Sequence, residues 1–442
     1  MTGLLPLIFA LAILDSSRPK IFAGVAQHPW SWWLWLFAIS LAVWLLVCET
    51  VTRVLLRSRR RHWVEQWDLL AHGLMLGYLA WICYRFGWTT RVQAYTPAIL
   101  PWLALQAVHW WILAFGLRPR PELKGWSRAG MIRQQVRFGM MPILLILPIF
   151  DCCNWLTLRS GLQQYLMHHL GAPITMGIGT LALGIFAPLL MPLVLVRMWH
   201  AQPLPPSELR ELLEAACRHM RVRVRGLMLW PGEVNKIYNA AVIGVLPQLR
   251  YVLFSQDLLR DFPPRQILAV LGHELGHARY WHLPLYMLFV LVTLMTSFLL
   301  AAPLTTALGH VAWFKATSPE LREGLATVAL LGVKWRLIFG YLSRACERQA
   351  DLSGAELSGG PATMRDALRT VARLSGQAET TPSWRHYSIG ERAAFLDRVE
   401  LEPGLAQRHH AQVRIWWRSL SALALALSVI LGIITLRNPA AW

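Results

Sequence analysis

The chain has 442 residues, of which 55% are hydrophobic and only 15% charged. So apolar a composition excludes an ordinary soluble domain and points to a chain that crosses a membrane several times. Lys and Arg outnumber Asp and Glu 43 to 24, for a formal charge of +19, but the arginines gather in alternate loops between apolar segments, the pattern of topology signals and lipid-headgroup contacts, so no nucleic-acid partner is expected.

Residues 3–14 are apolar but short, with neither a basic leader nor a convincing small-residue cleavage site. They read as a weak signal peptide or equally as a short or interfacial anchor. Five spans are predicted at about 31–52, 68–84, 97–117, 140–157 and 174–196 by the length needed to cross a bilayer. Many of the 23 Trp stand near span ends, as in the run Pro29–Trp33, where indole suits the interface. His72 and His109 are lone histidines in apolar runs, and Asp151 and Asn154 close the fourth span; all four read as packing or interfacial groups. The loops Arg57–Arg61 and Arg118–Arg133 are basic, whereas those near Arg91 and Arg159 are poor in charge. The positive-inside rule therefore puts 53–67 and 118–139 in the cytoplasm, and the span count puts 197–282 there too. The six cysteines include no C-x-x-C pair, so neither a disulfide framework nor a cysteine zinc site is expected.

From residue 201 the pattern changes to that of a soluble domain against the membrane. Pro205-Pro206-Ser207 leads a helix from Glu208, with Ser as its cap. The alternation Arg221-Val222-Arg223-Val224-Arg225 predicts a half-exposed strand. Runs 237–245 and 250–255 predict a hairpin across Leu246-Pro247-Gln248, and Pro263-Pro264 opens a helix over Arg265–Tyr280. Further spans follow at about 284–303 and 321–342, the second interrupted by Lys334 and Arg336, which read as structural groups. Residues 344–415 are polar, and a last span runs over about 417–436. The domains so drawn are a membrane region 1–200, a catalytic region 201–415 and an anchor 416–442. The fold class expected is a mainly α-helical multi-span membrane protein, about eight transmembrane helices in all, with a small α+β domain at the cytoplasmic face.

Chemistry concentrates in His273-Glu274-Leu275-Gly276-His277, an H-E-x-x-H on a predicted helix. Residues four apart share a helix face, so His273 and His277 can offer two imidazoles to one metal ion, with Glu274 near its water. A catalytic zinc ion needs a third protein ligand. His282 lies five residues on and should face another way. Glu347 is the better candidate, with Asp351 one turn later to accept a hydrogen bond from a ligating histidine. The alternative is that Glu347, Arg348 and Asp351 form a solvated helix face with (i, i+4) pairing.

Together, Asn239-Ala240, the H-E-x-x-H with His282 after it, and Glu347-Arg348-Gln349-Ala350-Asp351 resemble the M48 family of integral-membrane zinc metallopeptidases, which includes Ste24 CaaX proteases and HtpX quality-control proteases. The resemblance covers about residues 205–400. It implies a gluzincin-type core with one Zn2+ on His273, His277 and Glu347, and Glu274 as general base. Asn239 and Ala240 would lie on the edge strand that pairs with an extended protein or peptide substrate. A later His and Arg of the family correspond to His386, as an oxyanion donor, and Arg392, as a brace; Tyr387 stands where the family usually has Pro. The function expected is that of an integral cell-membrane zinc endopeptidase working on the cytoplasmic side. The alternatives are a non-catalytic scaffold or transporter with a structural metal, and a sensor-transducer protease of the M56 kind. The sensor would call for an extracytoplasmic ligand-binding domain, which the sequence after Arg437 does not offer.

Overall fold

The computed structural model describes residues 29–57, 62–92, 94–116, 189–230, 238–311, 319–376, 378–383 and 385–437, with isolated positions between 10 and 14 and between 147 and 168. Most of the stretch 3–14, the basic positions 58–61 and 118–139, the loop at Arg159, most of the expected spans 140–157 and 174–196, Asn154 and Trp384 lie outside the described residues. The described chain is mostly helical and falls into two compact units, 1–175 and 176–442.

In the first unit, helices α1 (Trp30–Arg57), α2 (His62–Phe86) and α3 (Leu100–Gly116) share one apolar core. Trp33, Met75 and Trp102 are fully buried in it. Trp44 Nε1 on α1 donates to the Leu105 carbonyl on α3 at 3.0 Å. Asp151 caps the short turn after residue 94, accepting from the backbone N–H groups of Tyr95 and Thr96 at 2.8 and 2.7 Å.

The second unit begins ahead of the boundary expected near residue 200. Leu193, Val196 and Trp199 pack against Met228, Tyr251 and Leu253 of a sheet, and Trp199 stacks on Trp230. That sheet has the order β1 (Gln202–Pro203), β2 (Gly226–Trp230), β4 (Tyr251–Ser255), β3 (Ala240–Ile243). β2 runs parallel to β4; the two outer pairings are antiparallel. Helix α4 (Glu208–His219) is capped by Ser207, whose side chain accepts from Arg210 N–H. The strand expected over Arg221–Arg225 is not formed. The chain leaves α4 through a left-handed Arg221, φ 56°, and joins β4's ladder only from Gly226.

A short helix α5 (Gln256–Asp261) leads into α6 (Pro264–Arg279), which carries H-E-x-x-H. Next come α7 (His282–Ala307) and α8 (Pro319–Lys334), then a π-helical turn that runs straight into α9 (Gly340–Ser358). Lys334 donates to Thr296 and Ser297 on α7 at 2.7 and 3.0 Å, which satisfies its ammonium inside an apolar segment. Helices α10 (Pro361–Ser375), α11 (Ile389–Leu401) and α12 (Leu405–Arg437) complete the unit. By length and composition Trp30–Leu55 and Leu405–Ile433 are long and apolar enough to cross a membrane, and α6 with α7, bent by 46°, qualifies as one further broken span. Helices α2, α3 and α8 stand at three other expected spans without meeting that test.

Candidate metal centre

The centre exists because α6 and α9 approach closely. A Cβ at Gly272 would lie 2.8 Å from the Ser353 carbonyl and 2.9 Å from Gly354 Cα; one at Gly276 would lie 2.9 Å from Ser353 Oγ and 3.1 Å from Ala350 Cα. Real Cβ atoms do not sit as close to backbone as one at Gly272 would, and one at Gly276 would press on the Ser353 side chain, so glycine at these two positions lets the helices touch. The contact brings the histidines of α6 against the carboxylates of α9.

One ligating atom each from His273, His277 and Glu347 lies within 4.8 Å of the others. His273 Nε2 and His277 Nε2 are 3.2 Å apart, and the Glu347 oxygens stand 3.6 and 3.7 Å from them. Hydrogen bonds on the far side of each ring decide which nitrogen carries a proton. Asp351 accepts from His273 Nδ1–H at 2.9 Å, so the lone pair of the neutral ring is at Nε2. Asp351 is fully buried and is itself gripped by Arg392, whose Nε reaches Oδ2 at 2.9 Å and Nη2 reaches Oδ1 at 2.5 Å.

His282 does not face away, as its spacing suggests for an unbroken helix. Helix α6 ends at Arg279 and Trp281 takes φ 58°, which swings His282 back onto His277. His282 Nε2–H donates to Gln349 Oε1 at 2.9 Å, so its Nδ1 accepts from His277 Nδ1–H at 2.8 Å. Gln349 Nε2 in turn donates to His410 Nδ1 at 2.8 Å. The result at His277 is again a lone pair at Nε2. Sequence reasoning missed this chain, although the five-residue spacing of His282 and Gln349's place between Glu347 and Asp351 were both visible.

Electrostatics follow from these contacts. Burial opposes protonation of His273, but the Asp351 carboxylate outweighs it and raises the pKa above 6.5. Burial drives His277 well below that value and His282 down to about 4. Burial also works against the Glu347 charge, yet its bond to His386, with His277, His273 and Arg392 nearby, holds it well below the usual carboxylate range. Two lone pairs facing each other at 3.2 Å repel, so a proton or a metal ion between His273 and His277 relieves that repulsion. Two imidazoles and one carboxylate form a donor set that fits zinc and leaves a fourth position for water or substrate. Among the described residues no cysteine joins them; Cys346 is buried in a different cluster, and burial lifts its thiol to about 12.

Glu274 points from α6 to the sheet edge, where its Oε2 accepts from the Val242 N–H of β3 at 2.9 Å. Burial raises its pKa above 4.5. Strand β3 is the outer strand next to β4, and antiparallel pairing turns alternate residues inward. Asn239 turns its backbone to Ser255 on β4, so Ala240 and Val242 present theirs to the open edge. A cavity of about 220 Å³ lies here, lined by Val242, Gly244, Glu274, His277, His282, Glu347 and Arg385 among others.

The last two expected residues come from the segment leading into α11, which opens with a capping box between Ser388 and Glu391. That box sets Arg392 on the first helical turn, against Asp351. His386 Nδ1 meets Glu347 Oε1 at 2.9 Å. Tyr387 adopts φ 62°, which a proline ring cannot reach, and its ring lies under Arg348 at 4.2 Å and Arg344 at 5.2 Å. A proline at position 387 could not follow this backbone.

Comparison with known proteins adds three findings. The model of peptidase family M48 matches residues 208–409. The "Protease HtpX homolog" of Burkholderia cenocepacia (strain HI2424) is 28% identical over 143 residues, covering 31% of this chain and 47% of that protein. That of Methylibium petroleiphilum is 26% identical over 153 residues, covering 34% of this chain and 51% of that protein. The chain thus spans about half the length of the curated relatives it matches. The crystal structure of S. mikatae Ste24p aligns with 88% of this chain and 99% of its own, at 15% identity and a TM-score of 0.44. Residues 208–409 of this chain are thus similar to peptidase family M48.

Proposed function

We propose that the chain is a membrane-embedded zinc endopeptidase that hydrolyses peptide bonds of membrane or membrane-proximal proteins, with its centre open to the cytoplasm. The observation that carries the reading is the convergence of two imidazole lone pairs and the Glu347 carboxylate beside the raised-pKa carboxyl of Glu274. His273, His277 and Glu347 would hold zinc, whose Lewis acidity polarises a peptide carbonyl and acidifies water. Glu274 takes the proton from the attacking water and delivers it to the leaving amine; a raised pKa brings both transfers closer to balance near neutral pH. Release of Glu274 from Val242 N–H accompanies substrate entry, because the same N–H lies on the edge of β3. An extended peptide then adds to β3 through the backbone of Ala240 and Val242, a pose that reads main chain more than side chain. Asn239 flanks that edge.

Asp351, held by Arg392, keeps His273 in its ligating tautomer. His386 braces Glu347 through Nδ1 and offers its other edge, partly open to solvent, to the oxygen that becomes negative in the transition state. The surrounding architecture proposed is about eight spans, with a gluzincin-type α+β domain over 201–415. A structural zinc site fills all four positions with protein ligands; the three-donor group here favours the catalytic reading over a scaffold. Substitution Glu274→Gln in native membranes tests it. The variant is expected to bind zinc and trap uncleaved substrate; retention of full proteolysis would overturn the assignment.

A further inference from the structure

The first unit contains a second cluster of metal-ligating side chains, independent of the peptidase reading. Asp68 and His72 stand one turn apart on α2 and His109 stands on α3; one ligating atom from each lies within 4.8 Å of the others. In the sequence both histidines look like isolated packing groups. The fold sets their rings edge to face, centroids 5.8 Å apart, with His72 3% and His109 1% exposed.

Hydrogen bonding defines what each group offers. His72 Nδ1 lies 2.6 Å from the Asp68 backbone carbonyl and 3.7 Å from Asp68 Oδ1; the carbonyl can only accept, so that nitrogen carries the proton and donates to it, which leaves Nε2 as the atom His72 can offer an ion. His72 Nε2 is then a bare lone pair, and it is buried without a hydrogen-bond partner. An acceptor nitrogen in an apolar bundle is costly unless a donor or a cation meets it. His109 Nε2 stands 2.9 Å from Asp68 Oδ1, a separation at which two such atoms share either a proton or an ion. On the other side of that ring, Nδ1 meets Cys48 Sγ on α1 at 3.7 Å. More unpartnered polar atoms gather within one turn of these residues: both amide atoms of Gln106, which is fully buried, and Thr52 Oγ1.

We propose that Asp68, His72 and His109 bind a divalent transition-metal ion of the zinc class, with Cys48 beside His109 as an adjoining thiol. Two imidazoles and a carboxylate next to a thiol select zinc-type ions over magnesium or calcium, which prefer all-oxygen sites. Ionisable groups buried in an apolar bundle persist where they are paired or functional. The ion would clamp α2 to α3, and Asp68 would supply charge to balance it.

The test uses the full chain, purified from membranes in detergent with Zn2+ supplied, and carrying His273→Ala with Glu347→Gln to empty the peptidase centre. Metal analysis should still find about one zinc per chain, and adding His72→Gln should weaken binding at least tenfold, as loss of a ligand or its support generally does. Absence of zinc from the cleared protein, or retention unchanged by His72→Gln, would overturn the proposal. Zinc-edge X-ray absorption on the cleared protein needs no change in the bundle. Two imidazoles around the ion are expected, and fewer would count against the site.

Discussion

Asp351→Asn isolates the support of the metal centre from the centre itself. The change keeps the shape but replaces one carboxylate oxygen with an amide donor. Three N–H donors converge on this fully buried group: His273 Nδ1 at 2.9 Å, Arg392 Nε at 2.9 Å and Arg392 Nη2 at 2.5 Å. An amide has one acceptor oxygen, so either His273 or Arg392 is left facing an N–H. If His273 loses its acceptor, zinc affinity should fall about 10–100-fold, or roughly 1.4–2.8 kcal/mol. Arg392 also loses its counter-charge. Breaking a buried pair costs about 3–5 kcal/mol; Glu347 at 3.8 Å from Nη1 and the 13% exposure of the guanidinium side chain argue for the low end. Competition against a chromophoric chelator would measure the first effect, and thermal melts of the zinc-free protein the second. Zinc affinity within twofold of the parent, together with an unchanged melt, would refute the role given to Asp351.

Local signals made the helices legible in sequence. Ser207 and Pro263-Pro264 marked their starts, and the four-residue spacing of His273 and His277 fixed a shared face. Glu347 and Asp351 were legible for the same reason. What failed to show were meetings that depend on a chain reversal or on a partner far along the sequence. His282 stays out of the three-donor group, as its spacing implies, yet it meets His277 because the left-handed φ of 58° at Trp281 redirects the chain. Arg221–Arg225 has the alternation of a strand, and Val222 is indeed buried, but a second left-handed residue, Arg221, delays the ladder to Gly226. His72 and His109 looked solitary because 37 residues and a change of helix separate them; only packing of α2 on α3 shows them as neighbours. Gly272, just ahead of the motif, and Gly276, inside it, carry no sequence signal of their purpose, which shows only in the approach of α9.

Four further outcomes follow from the geometry. Replacing His282 with Phe removes the acceptor for His277 Nδ1–H and strands Gln349, so zinc affinity by chelator competition should drop about tenfold or more. Gly272→Ala must push against Ser353 backbone and should destabilise by about 1–3 kcal/mol in melts, whereas Gly73→Ala, with nothing within 4 Å of its added Cβ, should not. Tyr387→Pro demands a φ the loop lacks and should cost more than about 1 kcal/mol, while Tyr387→Gly should stay within about 1 kcal/mol because relief of the left-handed strain offsets the lost arginine stacking. The fourth concerns pH. Zinc must displace whatever proton sits between His273 and His277. His273 has its pKa raised by Asp351, so below that pKa it is protonated and competes; His277 is lowered by burial and Glu347 is lowered by its partners, so neither holds a proton near neutrality. Zinc affinity should therefore rise about tenfold per pH unit up to the raised His273 pKa and level off above it, with one proton rather than two released per ion below that pKa and none above it. Calorimetry in buffers of different ionisation enthalpy counts that proton. In Asp351→Asn the break should move to lower pH, because the group that raised the His273 pKa is gone; a break that stays in place would mean that the carboxylate does not control the imidazole it touches.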